Sequence, residues 1–175
     1  MRILKFLFIA IMLVVGLFLL SGLVFPKITY TYGQEVNLPL TETFELFNDA
    51  SKMKDWMTGL QSFKTIEEKP GLVGSRYEIV VDAQGEFVRM EELVTAFKQN
   101  EKVGLTIESD EMIKKDFYTF QAKGNQTFIQ NKASITGKTY FLKCLFASFY
   151  FFIKGEDQAI LDSFKAYAEG SSSRQ

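Results

Sequence analysis

Twenty consecutive residues without a charge, Phe6 to Phe25, constrain this chain before any other feature does. At about 1.5 Å of rise per residue, a helix of that length reaches across the roughly 30 Å hydrocarbon core of a bilayer. The apolar region of a signal peptide is shorter, about 7–15 residues, and ends in a small-x-small cleavage site. Ser21-Gly22-Leu23 is a poor version of that site, and no cysteine follows the run to mark a lipoprotein. The segment therefore reads as an uncleaved anchor over residues 1–27. Arg2 and Lys5 precede the run, and Lys27 alone comes closely after it. This bias predicts a cytoplasmic N-terminus and an extracytoplasmic domain, on the periplasmic side of a single-pass membrane protein.

Pro26 stops the helix, because it cannot continue the hydrogen-bond ladder. The remaining chain is enough for one ordinary domain. Arg2 and Lys5 are two of the 20 basic residues, so the remainder holds 18 against 21 acidic ones, a net of −3. A mildly acidic domain with no Lys/Arg block has no electrostatic footprint for nucleic acid, and none is expected as a partner. The single Cys144 excludes an intramolecular disulfide. The chain has no histidine, which removes the commonest general base, neutral metal ligand and pH switch together. Neither a metal nor a cofactor is expected.

Ile28 to Asn37 is rich in β-branched and aromatic residues and reads as a strand. Thr41 is the expected cap of a short helix carrying Phe44, Leu46 and Phe47. Ser51 is the expected cap of a second, Lys52 to Met57, with the only tryptophan, Trp56. Strands are expected over 62–69, 74–82, 86–98, 102–108, 112–123 and 127–136, separated by Pro70-Gly71, Ala83-Gln84-Gly85, Gln99-Asn100, Ser109-Asp110-Glu111 and Gly124-Asn125. In the last strand Thr127, Ile129, Asn131, Ala133 and Ile135 share a face. The period then becomes helical: Leu142, Phe146, Phe149, Ile153, Ile160, Phe164 and Ala168 form one stripe. This predicts one long helix over 139–169, bent at Gly155, and a disordered tail over 170–175. Short turns between the strands argue for an antiparallel meander, and the long helix is the element left to cover its apolar concave face.

This order resembles the START-like (SRPBCC, polyketide cyclase/dehydrase-like) superfamily of helix-grip domains. EVNLPLTETFELFNDASKMKDWM looks like the family opening, PGLVGSRYEI like its Gly-x-x-Gly strand entry, and the helix ending in Ala-Glu-Gly like its closing helix. The resemblance covers residues 28–169, and bacterial members also carry an N-terminal tether. It implies an α+β fold, with a curved sheet of six to seven strands, two short helices after the first strand and one long C-terminal helix. It also implies a cavity for hydrophobic or amphipathic ligands. It carries no catalytic residue, since members range from cyclases and hydrolases to lipid carriers.

Glu91 and Glu92 are adjacent in a strand, so they point to opposite faces. If Val88, Met90, Glu92 and Val94 face inward, Glu92 enters the cavity as a weak catalytic candidate or as a ligand anchor with a raised pKa. The alternative is a rim salt bridge to Arg76 or Arg89. Asn131 is either a polar anchor in the cavity or a residue at its mouth. Trp56, Tyr77 and Tyr118 either line a pocket or fill the core. With Met90, Phe146 and Phe149 they complete the expected ligand cavity. Gly71-Leu72-Val73-Gly74-Ser75 lacks the Lys-Ser/Thr ending of a phosphate loop and reads as a turn. Cys144, in an apolar helix without histidine, reads as an inert thiol.

Tyr140 to Ile153 is apolar on nearly every face, yet too short to span a bilayer. It either meets the membrane or gates a cavity mouth facing it, or packs against the short helices and first strand. Three functions stay open. The first is an anchored module that holds a hydrophobic, lipid-like molecule. The second is a cyclase- or hydrolase-like enzyme using a cavity carboxylate. The third is a non-catalytic structural or stress-related surface protein.

Overall fold

A computed structural model describes residues 2–83 and 85–172. Helix α1 (Arg2–Val24) leads into strand β1 (Ile28–Val36), then α2 (Leu40–Asn48) and α3 (Met53–Trp56). Six more strands come next: β2 (Leu60–Glu67), β3 (Arg76–Ala83), β4 (Glu86–Lys98), β5 (Lys102–Glu108), β6 (Met112–Lys123) and β7 (Gln126–Gly137). Helices α4 (Tyr140–Ser148) and α5 (Tyr150–Ser172) close the chain.

The strands form one seven-stranded sheet in the order β1-β7-β6-β5-β4-β3-β2. Every pairing is antiparallel. Six strands are thus a simple meander, and β1 returns to pair with β7, with Ile28 opposite Ile135. The inward row of β7, Thr127, Ile129, Asn131, Ala133 and Ile135, is buried throughout. A bulge between Val94 and Ala96 shifts the register of β4 against β5. One extra residue there bends the strand and turns Phe97 to the same side as Val94.

Helix α5 lies across β1 and α3. Its inward stripe is Asp157, Leu161, Phe164 and Ala168, all buried at helical spacing. Phe164 meets Phe47 and Trp56 with ring centroids 5.1 Å apart in each case, and Phe47 meets Phe120 at 5.3 Å. These edge-on contacts carry the two short helices between α5 and the sheet.

The short-helix caps differ from those expected. Pro39 caps α2 with φ −57°, and its carbonyl accepts from Thr43 N at 3.0 Å, so the helix starts one residue before Thr41. No side chain caps this helix. Lys52 precedes α3, and the Ser51 hydroxyl donates instead to Asp49 Oδ1 at 2.5 Å.

The expected continuous helix bent at Gly155 is also corrected. The joint falls at Phe149, between α4 and α5, with φ −100° and ψ 22°. Helix α4 is seated on α1 and β7, whereas α5 is seated on β1 and α3. The bend lies where those two seats meet, and Gly155 sits in open space within regular helix. Gly170 does not adopt a left-handed cap, and α5 runs on to Ser172. Residues 173–175 of the expected tail lie outside the described residues.

Among the described residues, α1 is the one helix long and apolar enough to cross a membrane. Its last turns dock on α4. Phe18 meets the Phe141 ring at 5.8 Å, the Tyr140 hydroxyl donates to the Leu19 carbonyl, and the Ser21 and Ser148 hydroxyls lie 3.4 Å apart. At the centre Gly22 faces Cys144, and a Cβ on Gly22 would stand 2.4 Å from the Cys144 sulfur and 2.8 Å from its backbone nitrogen. Small residues allow this approach where any larger one would force the helices apart. A Ser21→Cys/Ser148→Cys pair, in a Cys144→Ser background, should therefore cross-link on oxidation. Adding Gly22→Val should abolish the cross-link, read as a lost mobility shift on non-reducing gels.

Candidate functional site

The concave face of the sheet and the elements over it enclose an apolar cavity of about 240 Å³. Met53, Trp56 and Met57 close one side, and Ile160 of α5 another. Ile79, Val81, Met90, Leu105, Ile107 and Met112 form the floor, all from inward rows of β3 to β6. An adjoining pocket of about 220 Å³ shares Phe47, Met53, Phe63, Glu92 and Leu105 with it and adds Tyr77. Both are small beside the roughly 300–1,000 Å³ usual for ligand sites. A wider depression of about 490 Å³ lies on the outer sheet face among Lys27, Thr29, Thr106, Lys115 and Lys132. Its walls are the outward strand rows, so it is a surface groove and not an enclosed site.

Glu92 stands in the wall common to both pockets, only 7% exposed. Arg76 pairs with Glu91 at 2.6 Å and Arg89 with Glu78 at 3.1 Å, so neither arginine reaches Glu92. The rim salt bridge is thus made by its neighbour, on the opposite sheet face. Burial and the nearby Asp116 carboxylate push the Glu92 pKa up to about 7.

The polar end of the cavity is a network of residues that are far apart in the chain. Lys114, Asp116 and Tyr118 alternate along β6 and all line the cavity. Lys114 Nζ lies 2.6 Å from Asp157 Oδ1 on α5 and 3.5 Å from Asp116 Oδ2. Tyr30 donates its hydroxyl to Asp157 Oδ2 at 2.7 Å. Asn131 Nδ2 donates to Asp116 Oδ1 at 2.7 Å and to the Tyr32 hydroxyl at 2.6 Å, and Asn131 Oδ1 accepts from Phe117 N at 2.9 Å. Asn131 is fully buried and satisfied, so it organises the network from behind and does not line the cavity.

Burial pulls the Lys114 ammonium down, but Asp116 and Asp157 more than offset it and hold its pKa above the ordinary lysine value. Burial raises the Asp116 carboxyl even against Lys114. Burial, reinforced by Asp157 or Asp116, also raises the Tyr30, Tyr32 and Tyr118 phenols, which remain protonated donors.

Of the other residues assigned to the cavity from sequence, Trp56, Met90 and Tyr118 line the main chamber and Tyr77 the adjoining one. Phe146 is half-buried and packs on the core beside the cavity, not in its wall. Phe149 is 52% exposed, because the helix turns at that residue and carries its ring outward. Lys114, Asp116 and Asp157 were missed, although the period-two row Met112, Lys114, Asp116, Tyr118, Phe120 carried the signal: two charges on an otherwise apolar stripe. Among the described residues, no three His, Cys, Asp or Glu side chains converge to hold a metal ion.

Two outcomes are expected from these ionisations. Glu92 is harder to ionise folded, at about 7, than unfolded, at 4.5. Its contribution to stability therefore falls as pH rises from 4.5 to 7 and then levels off. Glu92→Gln should flatten that slope and raise stability at pH 8 by about 3 kcal/mol, measured by denaturant unfolding across pH. Lys114→Met leaves two buried carboxyls facing each other and should cost about 3–5 kcal/mol at pH 8. The loss should shrink in acid, as Asp116 takes up a proton.

No family model matches the chain, and no curated protein sequence matches it significantly. Solved structures do. A crystal structure of TTHA0849 from Thermus thermophilus matches with a TM-score of 0.70 at 14% identity, over 83% of this chain and 99% of that one. An aromatase/cyclase, ZhuI from Streptomyces sp. R1128, matches with a TM-score of 0.68 at 12% identity, over 82% and 94%. Ara h 8.0201 matches with a TM-score of 0.64 at 12% identity, over 81% and 97%. The chain has the same helix-grip fold as these structures.

Proposed function

We propose that this chain is a membrane-anchored binding domain that holds a hydrophobic small molecule between its sheet and α5. The observation that supports this reading is the enclosed cavity of about 240 Å³, walled by methionine, isoleucine and aromatic side chains and polar at one end only. Methionines suit such a wall, since Met53, Met57, Met90 and Met112 can reshape it around a ligand.

The anchor in this reading is α1, with the domain on the extracytoplasmic side. It does not hold the domain on a loose tether, because Gly22 and Ser21 lock it to α4. The exposed rings of Phe141, Phe149, Phe151 and Phe152 continue the apolar surface of α1 around that joint. A lipid surface is the partner that covers them.

A second reading rests on Glu92. A carboxyl that titrates near pH 7 inside a cavity suits proton transfer, as an acid/base enzyme would require. The two readings separate by turnover: a carrier returns its ligand unaltered, and an enzyme does not.

Native mass spectrometry of the full chain, purified from its own membranes and released from detergent in the gas phase, tests the main reading. The expected result is a bound apolar molecule of a few hundred daltons, recovered intact by denaturing extraction, and a chain that stays in the membrane pellet through alkaline carbonate washing. Repeated purification of the bare chain, with no uptake from a lipid extract, would refute it.

A further inference from the structure

The polar end of the cavity bears on which hydrophobic molecule fits. Two groups of the cavity wall lack partners. Glu92, buried in the wall, makes no hydrogen bond or ion pair among the described residues. Trp56 is 4% exposed, and its Nε1–H has no acceptor. An unmet buried polar group typically costs about 1–3 kcal/mol, so a ligand that satisfies it gains that much in discrimination.

Charge narrows the choice further. The ionisable carboxyls lining the two pockets are Glu68, Glu92 and Asp116, and the only cation among the described lining residues is Lys114. Lys114 is already held between Asp157 and Asp116, so it has no charge to spare for a ligand. An incoming carboxylate or phosphate would meet Glu92 and Asp116 with nothing to offset them, in a medium where charges interact strongly.

We propose that the cavity takes an apolar molecule whose polar end is a hydrogen-bond donor, a hydroxyl or a protonated amine, presented to Glu92. Anionic amphiphiles, free fatty acids above all, are excluded. This rests on the cavity being a ligand site.

Trp56 is the only tryptophan in the chain, so its fluorescence reports on the cavity wall directly. The full chain in nanodiscs of zwitterionic phospholipid, at pH 8, is titrated with decanol, decylamine and decanoate. Decanol, decylamine or both should shift the emission saturably, and decanoate should bind at least about tenfold more weakly. The probe that binds tells a hydroxyl site from an amine site. Glu92→Gln should narrow the gap between decylamine and decanoate by about tenfold, whatever the bilayer itself absorbs. Decanoate binding as tightly as the donors, or an unchanged gap in Glu92→Gln, overturns the selectivity while leaving the ligand site standing. No response to any of the three removes the ligand site itself.

Discussion

The ion pair between Lys114 of β6 and Asp157 of α5, at 2.6 Å, is the contact around which this domain is organised. It joins the closing helix to the middle of the sheet. A buried charge is tolerated only when paired and hydrogen-bonded. The pair therefore recruits its surroundings: Tyr30 on Asp157, Asp116 on Lys114, and Asn131 on Asp116 and Tyr32. These residues come from β1, β6, β7 and α5. The network thus sets how far the helix stands from the sheet, and with it the height of the cavity on its other side.

Apolar packing and polar pairing divide the space beneath α5. Toward the C-terminal half of the helix, Phe164, Phe47, Trp56 and Phe120 close ring on ring. Between that cluster and the strands β3 to β5 the covering helix is narrower than the sheet, and the cavity is what remains. The unpaired carboxyl of Glu92 stands in the wall common to both pockets. A carboxyl in that position is unfavourable for stability when ionised.

The joint between α1 and α4 has a separate physical basis. It rests on the absence of a side chain at Gly22, on the Phe18–Phe141 ring contact and on hydrogen bonds from Tyr140 to Leu19 and from Ser21 to Cys144. A docked helix transmits orientation, so α1 would fix the domain relative to any membrane it crosses, and in the proposed reading the side carrying Phe141, Phe149, Phe151 and Phe152 faces the lipid.

Periodicity and composition alone determined much of this molecule. The uncharged run at 6–25, the alternation along β7, the stripe of α5 and the turn pairs between strands are local patterns, and a chain must satisfy them wherever it folds. They were enough for the α+β order and the antiparallel meander, and they left Glu92 open between the cavity and a rim salt bridge. What local pattern cannot carry is the meeting of residues distant in the chain. Lys114 and Asp157 are 43 positions apart and Tyr30 and Asp157 are 127 apart. A lysine on an inward strand row looks like an error until its partner on another element is known. Phe149 shows the reverse case: its helical spacing matched the inward stripe, but the change of seat between α4 and α5 turned it outward. Gly22 read as part of an apolar run, and only contact with Cys144 gave its missing side chain a purpose. Sequence determined which faces are apolar; tertiary structure decided which charges meet beneath them, because burial permits a charge only where another chain segment supplies its counterpart.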